Sequence, residues 1–384
     1  MSFTNLTRRT VLAAIPAMAV LASPLAAQEK TVRIGAILAQ TGPNASIGTE
    51  SLIGAEYAAR KINEAGGLDI GGTLHKVEIV NIDDESKAER SVAAAEKLVA
   101  EPDIPVILTP VSSTTTLAVV PIAEKAGRLA LSFVASAPPV VGPEHPLSFR
   151  STLDTTMNVA PSVEFLVKDK GVKTIAYIGR NDDWGRSSIA QVEESAKALG
   201  AEVVMTEFFE SGSTDFYGVL TKARSLEPDA VIVAAFIEDG VSLLKQFREL
   251  QMEMPLFSLG VIWASPVFLN AAGADVEGVY VATGPTSSVS PEMEAFAATF
   301  TADTGSVPLP FSTTAYDSVM LLAEAMKAAG TTEPAKLAET LRNTQYKGVL
   351  QTYAFDGDTQ SDVVINVNEV KDGKVSVVSS IVVK

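Results

Sequence analysis

Hydroxyl side chains cluster where a predicted strand meets a predicted helix. The apolar residues 106–109 run into residues 110–116, which read PVSSTTT, and helical spacing begins within that stretch. A helix N-terminus presents unpaired N–H groups and a partial positive charge, so it favours a carboxylate or another small anion. The plainer alternative is that these serines and threonines only cap the helix.

A second predicted strand end carries similar chemistry. Residues 129–133 form the next strand, and the chain continues through Ala135 and Ser136. In open α/β sheets, ligands lie at the carboxyl ends of the strands. The two neighbouring strand ends therefore predict a hydroxyl-lined anion site.

Motifs for catalysis or metal binding are largely missing from the sequence. Two histidines and no cysteine cannot assemble a Cys/His metal site, and they disfavour a serine–histidine nucleophile pair. Ser242 and Lys245 have the Ser-x-x-Lys spacing but lie in a predicted amphipathic helix without the companion motifs, so we interpret them as ordinary helix residues. We expect neither enzymatic activity nor a metal or cofactor.

Strand and helix patterns alternate through most of the chain. Short β-branched runs and longer segments of helical spacing follow one another over residues 31–133, and the same rhythm restarts over residues 157–259. This alternation is typical of βαβ units around parallel sheets, so we predict an α/β protein with two similar lobes. Three helical segments and short strands after residue 285 are too few for a third sheet, which requires the chain to cross between the lobes more than once.

The first residues have the composition of a signal peptide. Arg8 and Arg9 precede an apolar run over residues 11–22, and small residues lead to Ala27, where we predict cleavage. The arginine pair also resembles the twin-arginine export pattern, with Val11 where an aromatic is commoner. Because no cysteine follows, we expect no lipid anchor and a periplasmic location.

Charge and composition limit the class of partner. The chain has 47% hydrophobic residues, 20% charged residues and a formal net charge of −16. Such an acidic surface repels nucleic acid and anionic lipid headgroups. We therefore predict a monomeric globular protein that binds no nucleic acid.

Short motifs in a fixed order resemble one known family over essentially the whole mature chain. The segments are Ile34-Gly35, Thr41-Gly42-Pro43, Gly54-Ala55, Ile62-Asn63-Glu64-Ala65-Gly66-Gly67, Thr214-Asp215-Phe216, Pro228-Asp229-Ala230-Val231 and Ala315-Tyr316-Asp317. Their order and spacing resemble the branched-chain amino-acid type of periplasmic binding protein, whose type I fold serves the permeases of ABC importers.

This resemblance implies a domain organisation. The family has two Rossmann-like lobes with central parallel sheets, joined by three crossovers that would fall near residues 154, 285 and 354. After the signal peptide 1–27, lobe 1 would comprise residues 28–153 and 285–353, and lobe 2 residues 154–284 and 354–384. We expect the lobes to close around the ligand by a hinge.

The resemblance also implies ligand-binding residues. The family holds a ligand carboxylate with the serine/threonine stretch and the next strand end, which here correspond to Ser112, Ser113, Ala135 and Ser136. The opposite lobe contributes the aromatic of an Asp-Tyr-Gly-type loop and residues after a later strand. Their counterparts are Trp184, Phe236 and Ile237.

Two departures from the family pattern bear on the ligand. Val261 stands where amino-acid binders place an acid for the α-ammonium, and Ile47 stands where an aromatic is frequent. A buried ammonium without a carboxylate partner is unfavourable. We therefore predict a carboxylate with an aromatic or branched aliphatic body and no α-amino group.

Alternative functions remain open on the sequence alone. Glu238, Asp239 or Asp317 could replace the missing acid, in which case the ligand would be a branched-chain or other hydrophobic amino acid. A ligand-sensing protein that docks to a receptor would share the same cleft.

Overall fold

Two mixed β-sheets form the two lobes of the protein. The structure is a computed structural model, which describes residues 1–2, 30–284, 291–361 and 363–383. The predicted signal peptide thus lies almost wholly outside the described residues. The α/β class with two lobes is confirmed.

The first sheet has six strands in the order β2-β3-β1-β4-β5-β6. Only β2 is antiparallel to its neighbour in this sheet. The strands are β1 (Lys30–Ala36), β2 (Leu68–Ile70), β3 (Thr73–Asn81), β4 (Val106–Leu108), β5 (Leu129–Ser132) and β6 (Ser148–Arg150). The helices between them are α1 (Ala45–Glu64), α2 (Ala88–Val99) and α3 (Ser113–Lys125).

The second sheet has seven strands in the order β15-β14-β11-β10-β9-β7-β8. The first five strands along the chain, β7 to β11, pair in parallel, whereas the last two are antiparallel. The strands are β7 (Thr174–Arg180), β8 (Glu202–Phe209), β9 (Ala230–Ala234), β10 (Leu256–Ser258), β11 (Tyr280–Thr283), β14 (Val363–Lys371) and β15 (Lys374–Val383). Its helices are α4 (Thr155–Lys168), α5 (Asp183–Ala198), α6 (Tyr217–Ser225), α7 (Ile237–Glu249) and α8 (Pro266–Ala272).

The remaining elements lie between β11 and β14 in the chain. They are α9 (Pro291–Thr304), α10 (Pro310–Ala329), α11 (Pro334–Arg342) and a small hairpin of β12 (Gln345–Lys347) and β13 (Thr352–Ala354). Helix α10 packs on α1 so closely that a Cβ on Gly54 would lie 1.9 Å from the carbonyl oxygen of Ser312. The late helix thereby completes the first lobe.

The sheets differ from the expected parallel arrangement at their edges. Gly71 and Gly72 connect β2 to β3, and Asp372 and Gly373 connect β14 to β15, all four with positive φ. Two-residue turns with φ > 0 at both positions match the twist of antiparallel strands, so these sequences form hairpins. The last two strands were expected to be short, but they are 9 and 10 residues long.

The chain passes between the lobes beside Arg150. The backbone N–H of Arg150 donates to Thr359 O at 2.8 Å, and its side chain donates to Gln360 and lies 3.2 Å from Asp154. These contacts join two of the segments that connect the lobes, and we call this region the hinge. The domain boundaries themselves remain predictions, and residue 285 lies outside the described residues.

Candidate ligand-binding site

The serines predicted to bind an anion begin helix α3. Ser112 is the N-cap residue, and its Oγ accepts a hydrogen bond from Thr115 N at 3.2 Å and lies 2.7 Å from Thr115 Oγ1. Ser112 therefore caps α3, as the plainer alternative predicted. Ser113 Oγ accepts from Ala137 N at 3.1 Å, which leaves the hydroxyl proton of Ser113 available for donation to a ligand.

The second strand end lies next to the hinge. The carbonyl oxygen of Ser136 accepts from Thr155 N at 2.8 Å and from Thr155 Oγ1 at 2.9 Å, so the first turn of α4 holds this loop. The Ser113–Ala137 bond joins the same loop to α3. The two strand ends are consequently fixed relative to each other, as an anion site requires.

The opposite wall is aromatic and comes from the second lobe. Asp182 caps α5 by accepting from Gly185 N at 2.9 Å, and this cap orients Trp184. Gly185 is required there because a Cβ would lie 2.0 Å from the carbonyl oxygen of Arg180. The indole of Trp184 stacks on Phe236 with ring centroids 4.9 Å apart and planes within 8°.

A narrow cavity of about 50 Å³ lies between these two walls. A larger cavity of about 430 Å³ lies beside it towards the hinge, and both are lined by Thr152, Leu153, Val261 and Phe311. The narrow cavity is the candidate ligand site because it contains the serines of the α3 N-terminus together with the aromatic pair. The larger cavity is close to the size of ordinary ligand pockets and adjoins it.

Seven of the nine residues predicted for the site line the narrow cavity: Ser112, Ser113, Ala135, Ser136, Trp184, Phe236 and Val261. Ile237 and Ile47 do not line it. Ile237 is the half-buried first residue of α7, and Ile47 lies in the hydrophobic core on the inner face of α1.

Further lining residues were not predicted from the sequence. Asp182, Asn158 and Phe311 line the cavity, as do Thr152 and Leu153 beside the hinge. The position of Asp182 before a helical segment is a recognisable N-cap signal. Asn158 has no comparable signal, because its hydrogen-bond partner Leu259 is 101 residues away along the chain.

The three acids considered as substitutes for Val261 do not line the cavity, and each has other partners. Glu238 accepts from Ser46 Oγ at 3.1 Å. Asp239 accepts from Gly212 N at 2.7 Å and lies 3.7 Å from Arg180. Asp317 accepts from Val349 N and Leu350 N, and burial raises the pKa of its carboxyl to about 6.

Asp182 is the acid that does line the cavity in the described part of the chain. One of its carboxylate oxygens caps α5, and the other lies 3.0 Å from Nε of Arg180. Among the described residues, one oxygen thus accepts a hydrogen bond and the other has only an ion-pair contact.

Besides the Thr155–Ser136 bonds, further hydrogen bonds between described residues cross from one lobe to the other. Nη1 of Arg180 donates to Asn44 Oδ1 at 3.3 Å, and both side chains are buried. Ser46 Oγ donates to Glu238 at 3.1 Å, and Asp183 N donates to Thr114 Oγ1 at 3.2 Å. Through these contacts the two lobes touch across the cleft.

The described residues contain neither a cluster of metal ligands nor a membrane-spanning helix. Within the described ranges, no group of three or more histidine or acidic side chains is placed to hold a metal ion. Those ranges also contain no helix with the length and apolar character needed to cross a membrane.

Comparison with known proteins identifies the family. The family model described as periplasmic binding protein matches residues 31–373. The chain therefore belongs to the periplasmic binding proteins. Its relatives and structural neighbours show that it is of the branched-chain amino-acid type. Members of this family bind small molecules for ABC importers and are not enzymes, and the family implies a periplasmic location.

Three similar proteins illustrate the range of this fold. An amino acid binding protein of Pseudomonas aeruginosa is 28% identical over 340 residues, covering 87% of this chain and 89% of that protein. The LivJ substrate-binding protein of Streptococcus pneumoniae in complex with isoleucine has a TM-score of 0.81 at 27% identity, covering 92% of this chain and 100% of that one. A solute-binding protein of R. palustris in complex with benzoate has a TM-score of 0.82 at 20% identity, covering 91% and 96%.

Proposed function

We propose that this protein captures a small carboxylate that lacks an α-amino group and delivers it to the permease of an ABC importer. The ligand has an aromatic or branched aliphatic body. One observation carries this proposal: the cavity pairs the serines of the α3 N-terminus with the stacked rings of Trp184 and Phe236, and Val261 faces it in place of an acid.

The ligand carboxylate would bind on the first lobe. Ser113 has a hydroxyl proton to donate, and the first N–H groups of α3 have no intrahelical acceptor. Hydrogen bonds to an ionised acceptor are stronger than those between neutral groups. The ligand body would then lie against the aromatic wall of the second lobe.

An α-ammonium group would lack a dedicated counter-ion in this cavity. Val261 is apolar, and Glu238, Asp239 and Asp317 are hydrogen-bonded elsewhere. Asp182 lines the cavity but already caps α5 and lies beside Arg180, so it is not dedicated to a ligand. Leaving one partner of a buried ion pair unpaired costs about 3–5 kcal/mol, which is roughly a hundredfold to several thousandfold in affinity. The same fold accommodates isoleucine in one neighbour and benzoate in another, so the choice of ligand rests on these side chains.

Calorimetric titration of the wild-type protein tests the proposal. We expect benzoate or a branched 2-oxo acid to bind and leucine, isoleucine and valine to bind far more weakly. Val261→Glu should weaken acid binding and strengthen leucine binding. Val267→Glu, at an exposed position of the same lobe, is the matched control and should change neither. Tight leucine binding with no response to either acid would refute the proposal.

Asp182 supports a second candidate function, the binding of hydrophobic amino acids. It lines the cavity and could share a carboxylate oxygen with an ammonium group. Asp182→Asn distinguishes the two functions, since asparagine also caps helices well. Loss of leucine binding in this variant would favour the amino-acid ligand, whereas unchanged binding of an aromatic acid favours the carboxylate.

Export by the predicted signal peptide is part of the proposal. Mass spectrometry of the protein from a periplasmic extract should give a mature chain that begins at Gln28. A chemoreceptor that docks to the ligand-bound protein would be a separate partner. Ligand-dependent binding of the protein to a chemoreceptor domain, measured in the absence of the permease, would detect it.

A further inference from the structure

The side chain of Asn158 lines the narrow cavity and carries an unpaired acceptor. It lies in the first turns of α4, is 2% exposed, and donates from Nδ2 to Leu259 O at 3.1 Å. Its Oδ1 is buried and has no hydrogen-bond partner.

The orientation of this amide follows from chemistry. The carbonyl oxygen of Leu259 can only accept a hydrogen bond, so it requires the NH₂ group of Asn158. The opposite orientation would bring two acceptors together at 3.1 Å. The oxygen of Asn158 is therefore the group left without a partner.

Asn158 faces the cavity from the lobe opposite the serines. Helix α4 packs on α5 and β14 of the second lobe, whereas Ser112 and Ser113 begin a helix of the first lobe. A ligand whose carboxylate is bound at the α3 N-terminus would present another part of its body to this acceptor. A neutral amide oxygen suits a hydroxyl donor, because it cannot compensate the charge of an ammonium group.

We propose that Asn158 accepts a hydrogen bond from a hydroxyl group on the body of the ligand, so that the site selects hydroxylated aromatic acids over the unsubstituted acid. The proposal rests on the function proposed above and specifies the ligand class of the same cavity. Discrimination arises because a ligand without the donor leaves a buried acceptor unpaired, a type of mismatch that binding sites penalise strongly.

The first test uses the wild-type protein and needs no substitution. Benzoate, 3-hydroxybenzoate and 4-hydroxybenzoate are titrated by calorimetry under the same conditions. We expect at least one hydroxylated acid to bind roughly tenfold or more tightly than benzoate. Benzoate binding as tightly as both hydroxylated acids would overturn the role of Asn158 while leaving the proposed function intact.

The second test removes the acceptor. Asn158→Leu conserves the approximate volume, and it should reduce the preference for the hydroxylated acid to about twofold or less while benzoate binding persists. Asn368→Leu is the matched control, since Asn368 is a buried asparagine of the same lobe with an unpaired Oδ1 and does not line the cavity. It should leave the preference unchanged.

The outcomes separate the two proposals. Retention of the full hydroxyl preference in Asn158→Leu would overturn the inference. Failure of all three aromatic acids together with tight leucine binding would instead overturn the proposed function, and the inference with it.

Discussion

The indole of Trp184 and the ring of Phe236 form a parallel stack, and the guanidinium of Arg180 lies 4.5 Å from the centroid of Phe236. Both rings line the cavity, so a flat ligand can contact a surface that is already rigid. Preorganised contacts favour binding because little conformational freedom is lost.

Removal of the indole should therefore weaken the binding of an aromatic acid. We expect Trp184→Ala to lower its affinity by about 1–2 kcal/mol, through lost stacking and apolar contact. Trp184→Phe preserves an aromatic face and should retain most of the affinity. Calorimetric titration with benzoate compares the three proteins, and equal affinities would show that the ligand does not contact this wall.

The two serines that begin α3 should respond differently to substitution. Ser113→Ala removes a donor to the ligand carboxylate and should cost about 1.5–3 kcal/mol of binding, the range for hydrogen bonds to charged groups. Ser112→Ala removes the N-cap and should lower the free energy of unfolding by about 1 kcal/mol.

Urea unfolding and ligand titration of both variants measure these effects. Ser265→Ala is a control for capping, because Ser265 caps α8 by accepting from Phe268 N and does not line the narrow cavity. It should change stability without changing affinity. Unchanged affinity in Ser113→Ala would contradict the assignment of the carboxylate to this helix.

The contact between Asn44 and Arg180 should stabilise the closed form. Asn44→Ala removes the acceptor on the first lobe, and Arg180 retains Asp182 and Asp239. Because ligand affinity depends on the population of the closed form, we expect faster ligand dissociation and up to about tenfold weaker binding.

Small-angle scattering and stopped-flow dissociation report on this closure. Wild type should contract on ligand binding, and Asn44→Ala should require more ligand for the same contraction. Asp103→Ala breaks the contact of Arg33 with Asp103 within the first lobe and serves as the control. A radius of gyration that does not change at saturation would contradict hinge closure.

Glu50 should make stability depend on pH. Its carboxylate accepts from Phe311 N and Ser312 N at the start of α10, yet burial raises the pKa of this group to about 7. The folded protein then holds a proton that the unfolded chain loses near pH 4.3, so the free energy of unfolding falls as pH rises from about 4 to about 7.

Glu50→Gln retains an acceptor for the two N–H groups and removes the titration. It should flatten this dependence and raise stability at pH 8, by at most about 3 kcal/mol. Asp317 has a raised pKa and contributes in the same direction, so part of the slope should persist. Thermal unfolding over this pH range, with the exposed Glu56→Gln as the control, measures the change. An unaltered slope would show that Glu50 does not titrate in this window.

The alternation of strands and helices was sufficient to predict the two lobes, because each βαβ unit has a local sequence pattern. The antiparallel edges were not predicted, although Asp372-Gly373 is a typical hairpin turn. The predicted strand ends lie together at the cavity because strands of one parallel sheet end at the same edge.

Other parts of the site depend on contacts between distant segments. Phe311 reaches the cavity from a helix that packs on α1, and Asn158 is oriented by Leu259. The position of Ile47 in the sequence did not reveal that it is buried, because the orientation of α1 on its sheet places this side chain in the core. Local sequence periodicity gives no information on such contacts between distant segments.

The packing of α10 on α1 determines when the first lobe can be completed. Glu50 and Phe311, which join the two helices, are 261 residues apart in the chain, and the whole described part of the second sheet from β7 to β11 lies between them. Closing so long a loop costs entropy before any contact is gained, and such non-local contacts slow folding. The first lobe needs α10 and the second needs β14 and β15, which follow α10 in the chain, so neither lobe can acquire its full native core until late in synthesis.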